Sequence, residues 1–343
     1  MLQQFSKIFL VLFIFAGVFF SCTKDDEPTP TTDPNPTDTT TVGDTTTTGD
    51  TTTNDTTDTP DPEPEPEPTA ITIIGSDFAR YEGVGSEFTA KGILLSQVEV
   101  PTEGENQLWD ISSYNASNIA YFQHDRLPVP DNTSFPSATY ITIIPSEFNE
   151  ALTIKSFYEV SDEGFLRLGG VVNPDTLNLG GGTTLTASGE EIVYEDKIYD
   201  FPMNYGDMVD NNWVLEENYS LTAPAFGLSN APVSRKLTKE GKIEIVGWGK
   251  IVLPQGAITD SVEVLLVKDT RKTVLNYFLD GSTAPAALTG ALGLTEGETE
   301  NSISYVFISK EFGRVLQLDF DMRSNGTPIT PARTAYYMTS KTE

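Results

Sequence analysis

Val315-Leu316-Gln317-Leu318-Asp319-Phe320-Asp321-Met322-Arg323 alternates apolar and polar residues without interruption. Leu316, Leu318, Phe320 and Met322 fall on one side of an extended chain and Gln317, Asp319, Asp321 and Arg323 on the other, the period-two pattern of a strand with one buried face. Just upstream, Ile303, Tyr305 and Phe307 repeat the pattern, and Lys310-Glu311-Phe312-Gly313 between the runs predicts a hairpin. Working outward, the same reading predicts strands over Thr139 to Ile144, Thr153 to Val160 and Phe165 to Leu168, the last two joined by a turn at Ser161-Asp162-Glu163-Gly164. It continues over Lys242 to Val246, Lys250 to Leu253, Ser261 to Lys268 and Thr273 to Leu279. Only Ala284 to Leu294 has helical composition, and Pro285, Gly290 and Gly293 restrict it to a short helix or a loop. Many short strands punctuated by Gly, Pro, Asn and Asp predict an all-β domain, an antiparallel sandwich or jelly roll over residues 69–343, in one piece or as two packed lobes.

The whole chain has 343 residues and a net charge of −29, and residues 69–343 alone carry 37 acids against 19 bases, a net −18. Such a surface repels the phosphates of nucleic acid, so no nucleic-acid partner is expected. One cysteine, Cys22, excludes disulfides within the chain and Cys-based metal clusters, and one histidine, His124, excludes His-rich zinc sites.

Residues 1–21 have the form of an export signal. Lys7 supplies the positive charge, and Ile8 to Phe20 is apolar apart from Gly17, shorter than the roughly 20 residues a membrane-crossing helix needs. Ser21 then Cys22 resembles the boundary of a bacterial lipoprotein signal, which implies a mature chain starting at Cys22, carrying diacylglycerol and further acyl chains such as palmitate, and anchored in a membrane. Thr23-Lys24-Asp25-Asp26-Glu27 resembles the surface-export signal of Bacteroidota lipoproteins, in which Lys24, Asp25 and Asp26 are the matching residues. The resemblance implies display on the outer face of the outer membrane.

Residues 22–68 form the lipidated terminus and a linker. From Pro28 to Pro68 only Val42 is large and apolar, so the segment cannot bury a core and is expected to be disordered. Its last stretch, from Pro60 to Pro68, alternates prolines and favours extended polyproline II. The linker spans about 35 Å as a flexible coil and about 130 Å fully extended, and its charges favour extension. Asp38-Thr39-Thr40, Asp44-Thr45-Thr46, Asp50-Thr51-Thr52 and Asp55-Thr56-Thr57 resemble the acceptor of Bacteroidota O-glycosylation, which implies modification at Thr39, Thr45, Thr51 and Thr56. A bare Thr/Asp spacer accounts for the same residues without it.

Within residues 100–280, Asn106-Gln107-Leu108-Trp109-Asp110-Ile111-Ser112, Phe135-Pro136, Phe201-Pro202-Met203-Asn204-Tyr205-Gly206-Asp207 and Gly247 to Gly256 resemble uncharacterised exported β-proteins of the Bacteroidota. That resemblance implies common architecture and carries no activity.

For chemistry, Asp319 with Asp321, Glu190 with Glu191, and Asp207 with Asp210 are the carboxylate pairs that glycoside hydrolysis would draw on, against the simpler reading of solvated strand faces and turns. Asp207 and Asp210, with Asn211 and Asn212, are hard oxygen donors of the kind Ca2+ takes, without the spacing of a calcium loop; a hydrogen-bonded turn is the preferred account and no cofactor is expected. His124 lacks an accompanying serine motif. Gly180-Gly181-Gly182 and Gly247-Trp248-Gly249 precede strand-like sequence and read as turns or bulges. Trp109, Trp213, Trp248, Tyr205 and Tyr219 are aromatics able to stack on sugar rings, although packing is the commoner use of such residues. Trp213 and Tyr219 are the chosen ligand-binding residues, because Asn211, Asn212, Glu216, Glu217 and Asn218 suggest an exposed polar neighbourhood. The expectation is a non-catalytic surface lipoprotein that binds a glycan or another surface polymer. A structural or adhesive protein that binds other proteins is the alternative, and a carboxylate glycoside hydrolase the third.

Overall fold

The computed structural model describes residues 69–121, 126–131, 133–146, 149 and 151–342. The expectations for Cys22, Lys24, Asp25, Asp26, the linker threonines and His124 lie outside the described residues. The strands in chain order are β1 (Glu87–Ile93), β2 (Gly104–Asp110), β3 (Ala116–Tyr121), β4 (Tyr140–Pro145), β5 (Thr153–Val160) and β6 (Gly164–Val172). Then come β7 (Thr176–Gly180), β8 (Thr183–Ala187), β9 (Glu191–Asp200), β10 (Met208–Asp210), β11 (Trp213–Ala223) and β12 (Leu228–Val252). The last are β13 (Ser261–Leu279), β14 (Ser282–Thr283), β15 (Glu298–Ser309), β16 (Gly313–Met322) and β17 (Pro328–Thr342), with two short α-helices among the described residues, α1 (Gly75–Ala79) and α2 (Ala286–Ala291).

Thirteen strands form one sheet along the path β3-β1-β17-β16-β15-β13-β12-β11-β8-β7, with β2 and β10 added beside β12 and β14 beside β13. The other four, β4-β5-β6-β9, form a second sheet. The pairing is antiparallel apart from β2, which runs parallel to β12. The fold is therefore the antiparallel all-β sandwich that the alternation predicts, and the described residues belong to one compact unit. Among the described residues no helix is long and apolar enough to cross a membrane.

Two apolar cores lie on opposite faces of the large sheet. Val262, Val264 and Leu266 of β13 and Ile303, Tyr305 and Phe307 of β15 join Ile93, Trp109, Ile251, Leu318, Phe320 and Tyr337 in the first core. Leu265, Val267, Val306 and Ile308 point the other way, toward Tyr140, Phe165 and Tyr199 of the second sheet and Phe78 of α1. Strands buried on both faces carry apolar runs rather than alternation, which is why Val264 to Val267 shows none. A third cluster, Leu185, Tyr219, Leu221 and Leu288, sits beneath α2.

The hairpin of β15 and β16, the β5–β6 turn and the short helix lie where the sequence predicts them. Other boundaries differ. Lys242 to Val246 and Lys250 to Val252 are parts of one 25-residue strand, β12, with Leu253 just beyond it, because the chain through Gly247 and Gly249 stays paired with β13 across a register shift between Ile245 and Gly247 instead of turning. Ser261 to Lys268 and Thr273 to Leu279 likewise fuse into β13, since the polar residues Asp269 to Lys272 pair with β12 on one side and β15 on the other. Asp319 is not on a solvated face: it is 9% exposed and accepts hydrogen bonds from Ser304 and Gln317 on the side of β16 turned toward the second sheet.

Candidate functional site

The registers of β11, β12 and β13 stack their inward side chains into cross-strand rungs. Trp213 lies opposite Lys239 and Lys239 opposite Thr273; next come Leu215, Leu237 and Leu275; then Glu217, Arg235 and Tyr277. Neighbours two residues apart on a strand share a face, so one leucine rung separates two rungs that hold charge. Facing the first rung from the second sheet are Arg167 of β6 and Tyr194 and Asp196 of β9.

Asp196 is the hub. Its Oδ2 accepts from Arg167 Nη2 at 2.7 Å, and its Oδ1 accepts from both Lys239 Nζ at 3.2 Å and Asn211 Nδ2 at 2.7 Å. Asp196, Lys239 and Asn211 are 7%, 3% and 2% exposed. Burial alone would raise the Asp196 pKa, but Arg167, Lys239 and the Asn211 amide together hold it well below the usual carboxylate range. Burial, reinforced by Arg271, lowers the pKa of Lys239 against the opposing pull of Asp196 and Asp269. Arg271 is itself paired with Asp269. Beyond the leucines, Glu217 accepts from Tyr219 at 3.0 Å and from Arg235 at 3.2 Å.

Trp213 closes the first rung. Its ring packs 5.2 Å from Tyr194, with the Arg167 guanidinium 5.6 Å and Lys239 Nζ 5.5 Å from its centroid, and its Nε1 has no hydrogen-bond partner among the described residues. The indole is half-buried. It lines an inner cavity of about 110 Å3 with Arg167, Arg235, Lys239 and Arg271. It also lines a shallow outward depression with Asn212, Val214, Thr238, Lys239 and Glu240. A separate, mainly apolar cavity of about 150 Å3 lies beneath α2, with Arg235 common to its wall and that of the inner cavity.

The structure places Trp213 half-buried against Tyr194, and it does not give it the exposed polar neighbourhood that the sequence suggests. Asn211 and Glu217 are buried because they precede or belong to β11, whose odd-numbered residues point inward, while Glu216 points out. Tyr219 is 4% exposed and its hydroxyl is spent on Glu217, so it cannot present a face to a surface ligand. Asp207 fixes its own turn by accepting from the Asn204 amide and side chain, and Asp210 pairs with Lys242 in the β10–β12 ladder. Among the described residues no group of three or more His, Cys, Asp or Glu is placed to hold a metal ion. Glu191 binds Thr133 and Ser134, and Asp321 meets Arg333.

Three of the four short motifs converge on the end of β12. Gly104 to Asp110 pairs with Gly247 to Val252, Met203 bridges Ile73, and Gly206 and Asp207 exchange backbone hydrogen bonds with Ile245. Phe135 stacks on Phe157 at 4.3 Å. These residues hold strands together. Comparison with protein-family models, with curated proteins and with solved structures returns no match.

Proposed function

We propose that the protein is an outer-membrane lipoprotein, anchored through Cys22, exported by Lys24-Asp25-Asp26 and displayed outward on its extended linker, whose sandwich binds a glycan or another surface polymer without catalysis. The observation that carries the binding reading is Trp213, a half-buried residue packed on Tyr194, Arg167 and Lys239 that also lines an open depression with Asn212, Thr238 and Glu240. A fixed aromatic beside hydrogen-bonding side chains suits the apolar face and hydroxyls of a sugar.

Trp213→Ala weakens polysaccharide binding by about 1–3 kcal/mol. Because the ring also packs on Leu215 and Leu237, the variant loses stability as well, so Glu240→Ala, an exposed rim change, is measured beside it: affinity falls while the melting temperature stays. Absence of affinity for every glycan tested, using the full chain, removes this reading. Anchoring has its own test. Cys22→Ser abolishes incorporation of labelled fatty acid, and protease added to intact cells removes the domain unless Lys24, Asp25 and Asp26 are replaced by Ala; equal labelling, or a wild-type domain that resists protease, refutes the address.

A structural or adhesive role is the second reading. It is favoured by the β12–β13 ladder, which runs without a turn from Val233 opposite Leu279 to Val252 opposite Ser261. The carboxylates that a hydrolase would use are engaged elsewhere, Asp319 by Ser304, Asp207 by Asn204 and Glu191 by Ser134.

A further inference from the structure

We propose that Lys239 and Asn211 become joined by an isopeptide bond within the chain, with Asp196 carrying the proton between them. The geometry assigns the roles. The amine that attacks and the amide nitrogen that leaves sit on the same atom, Asp196 Oδ1, at 3.2 and 2.7 Å. All three side chains are buried, with the Lys239 amine 5.5 Å from the centroid of the Trp213 ring, so few water molecules share the site with the reacting groups.

Lysine is a nucleophile only as the free amine, and desolvation beside other cations favours that form. Lys239 meets both conditions, being buried with Arg271 opposing its charge. The groups facing it are Arg167 from β6, Asp196 from β9, and Asp269 and Arg271 from β13, so three cations including Lys239 share the site with two carboxylates. Converting Lys239 to a neutral amide leaves two against two, which is the stable state for charges out of water. Gly241 lets the two segments approach: a Cβ there would lie 3.1 Å from Lys239 Cε and 3.0 Å from the backbone carbonyl oxygen of Asn211.

The step balances without a co-reactant. Asp196 takes a proton from the Lys239 ammonium, and the freed Nζ lone pair forms a bond to Asn211 Cγ, with the carbonyl π electrons moving onto Oδ1. Collapse of that tetrahedral centre breaks the Cγ–Nδ2 bond. Nδ2, already hydrogen-bonded to Asp196, takes the proton back and departs as ammonia, while the second amine proton of Nζ leaves with it as ammonium. Lysine ammonium plus asparagine amide becomes one secondary amide plus one ammonium ion, with no change of oxidation state.

The test is a tryptic peptide map of the purified full chain by mass spectrometry. Cleavage after Lys197, Arg235, Lys236 and Lys242 yields one branched species, residues 198–235 joined to 237–242, lighter than the sum of the two peptides by one ammonia and uncut after Lys239. Lys239→Arg keeps the cation, and Asp196→Asn keeps the shape of the acid; both give residues 198–235 unlinked and are cut after position 239, with folding checked by circular dichroism. Separate, unmodified peptides from the folded wild type overturn the proposal, whatever the variants do. A branched species that persists in Asp196→Asn overturns the role of Asp196.

Discussion

Asp196→Ala lowers the unfolding free energy at pH 7 by about 3–5 kcal/mol, the cost of removing one partner from a buried ion pair and leaving the other charge uncompensated. Arg167 relies on this carboxylate, as do Lys239 and the Asn211 amide for as long as those two are unjoined. The surroundings cannot supply a substitute, since Asp269 is already paired with Arg271 and Glu217 with Arg235 across the leucine rung. The pH dependence follows from the sign of the shift. The folded pKa of Asp196 is depressed, so its contribution is complete above the unfolded value of about 3.9 and is lost as pH falls from there toward the folded value. Urea melts at pH 7 and at successive steps below pH 4 show the wild type losing this increment while Asp196→Ala, which lacks it, changes less across the same window. A loss under about 1 kcal/mol at pH 7 would mean that the cluster behaves as a solvated surface pair.

What could be read in advance depended on whether a strand's buried face was apolar. In β16 it is, and Leu316, Leu318 and Phe320 announce the strand. In β11 the inward series is Leu215, Glu217, Tyr219, Leu221 and Ala223, and Glu217 hides within Glu216-Glu217-Asn218, a tripeptide that looks like loop. Its burial is possible because Arg235 stands opposite it in the register, a fact no local window contains. The length of β12 was hidden by its glycines for the reverse reason, since residues that usually end a strand here admit another strand alongside.

The site was less legible than the fold. The polar residues around Trp213 draw notice to it in the sequence, but Asp196, Lys239, Arg167 and Arg271 come from four strands, and each alone is one charge among many in an acidic chain. Only the pairing of Trp213 with Lys239, and the packing of β9 over β11, brings them together. The clue available beforehand was weak: bases are scarce in residues 69–343, and a scarce base alternating with apolar residues, as Arg235 and Lys239 flank Leu237, marks a charge that faces inward.

Gly249→Ala lowers stability by about 3–5 kcal/mol, as much as truncating a buried tryptophan, because it displaces one. A Cβ at position 249 would lie 2.0 Å from the Gln107 carbonyl oxygen and 2.5 Å from its nitrogen, and both are backbone atoms that no rotamer change can move aside. The glycine also has φ +154, which L residues rarely adopt. The chain then has two ways to yield: β2 leaves β12, or β12 bends away. Either breaks the ladder that seats Trp109 opposite Ile251, exposing an indole that now packs edge-on at 5.2 Å against Phe307 and donates to the Thr102 carbonyl. The matched control is Gly290→Ala within α2, where nothing lies within 4 Å of the added carbon; there alanine favours the helix and raises stability by about 0.5–1 kcal/mol. Equilibrium urea melts, followed by the fluorescence of the three tryptophans, compare the two. Equal effects at both positions would mean that chain entropy alone governs these glycines, whereas opposite signs assign Gly249 to the close approach of two strands.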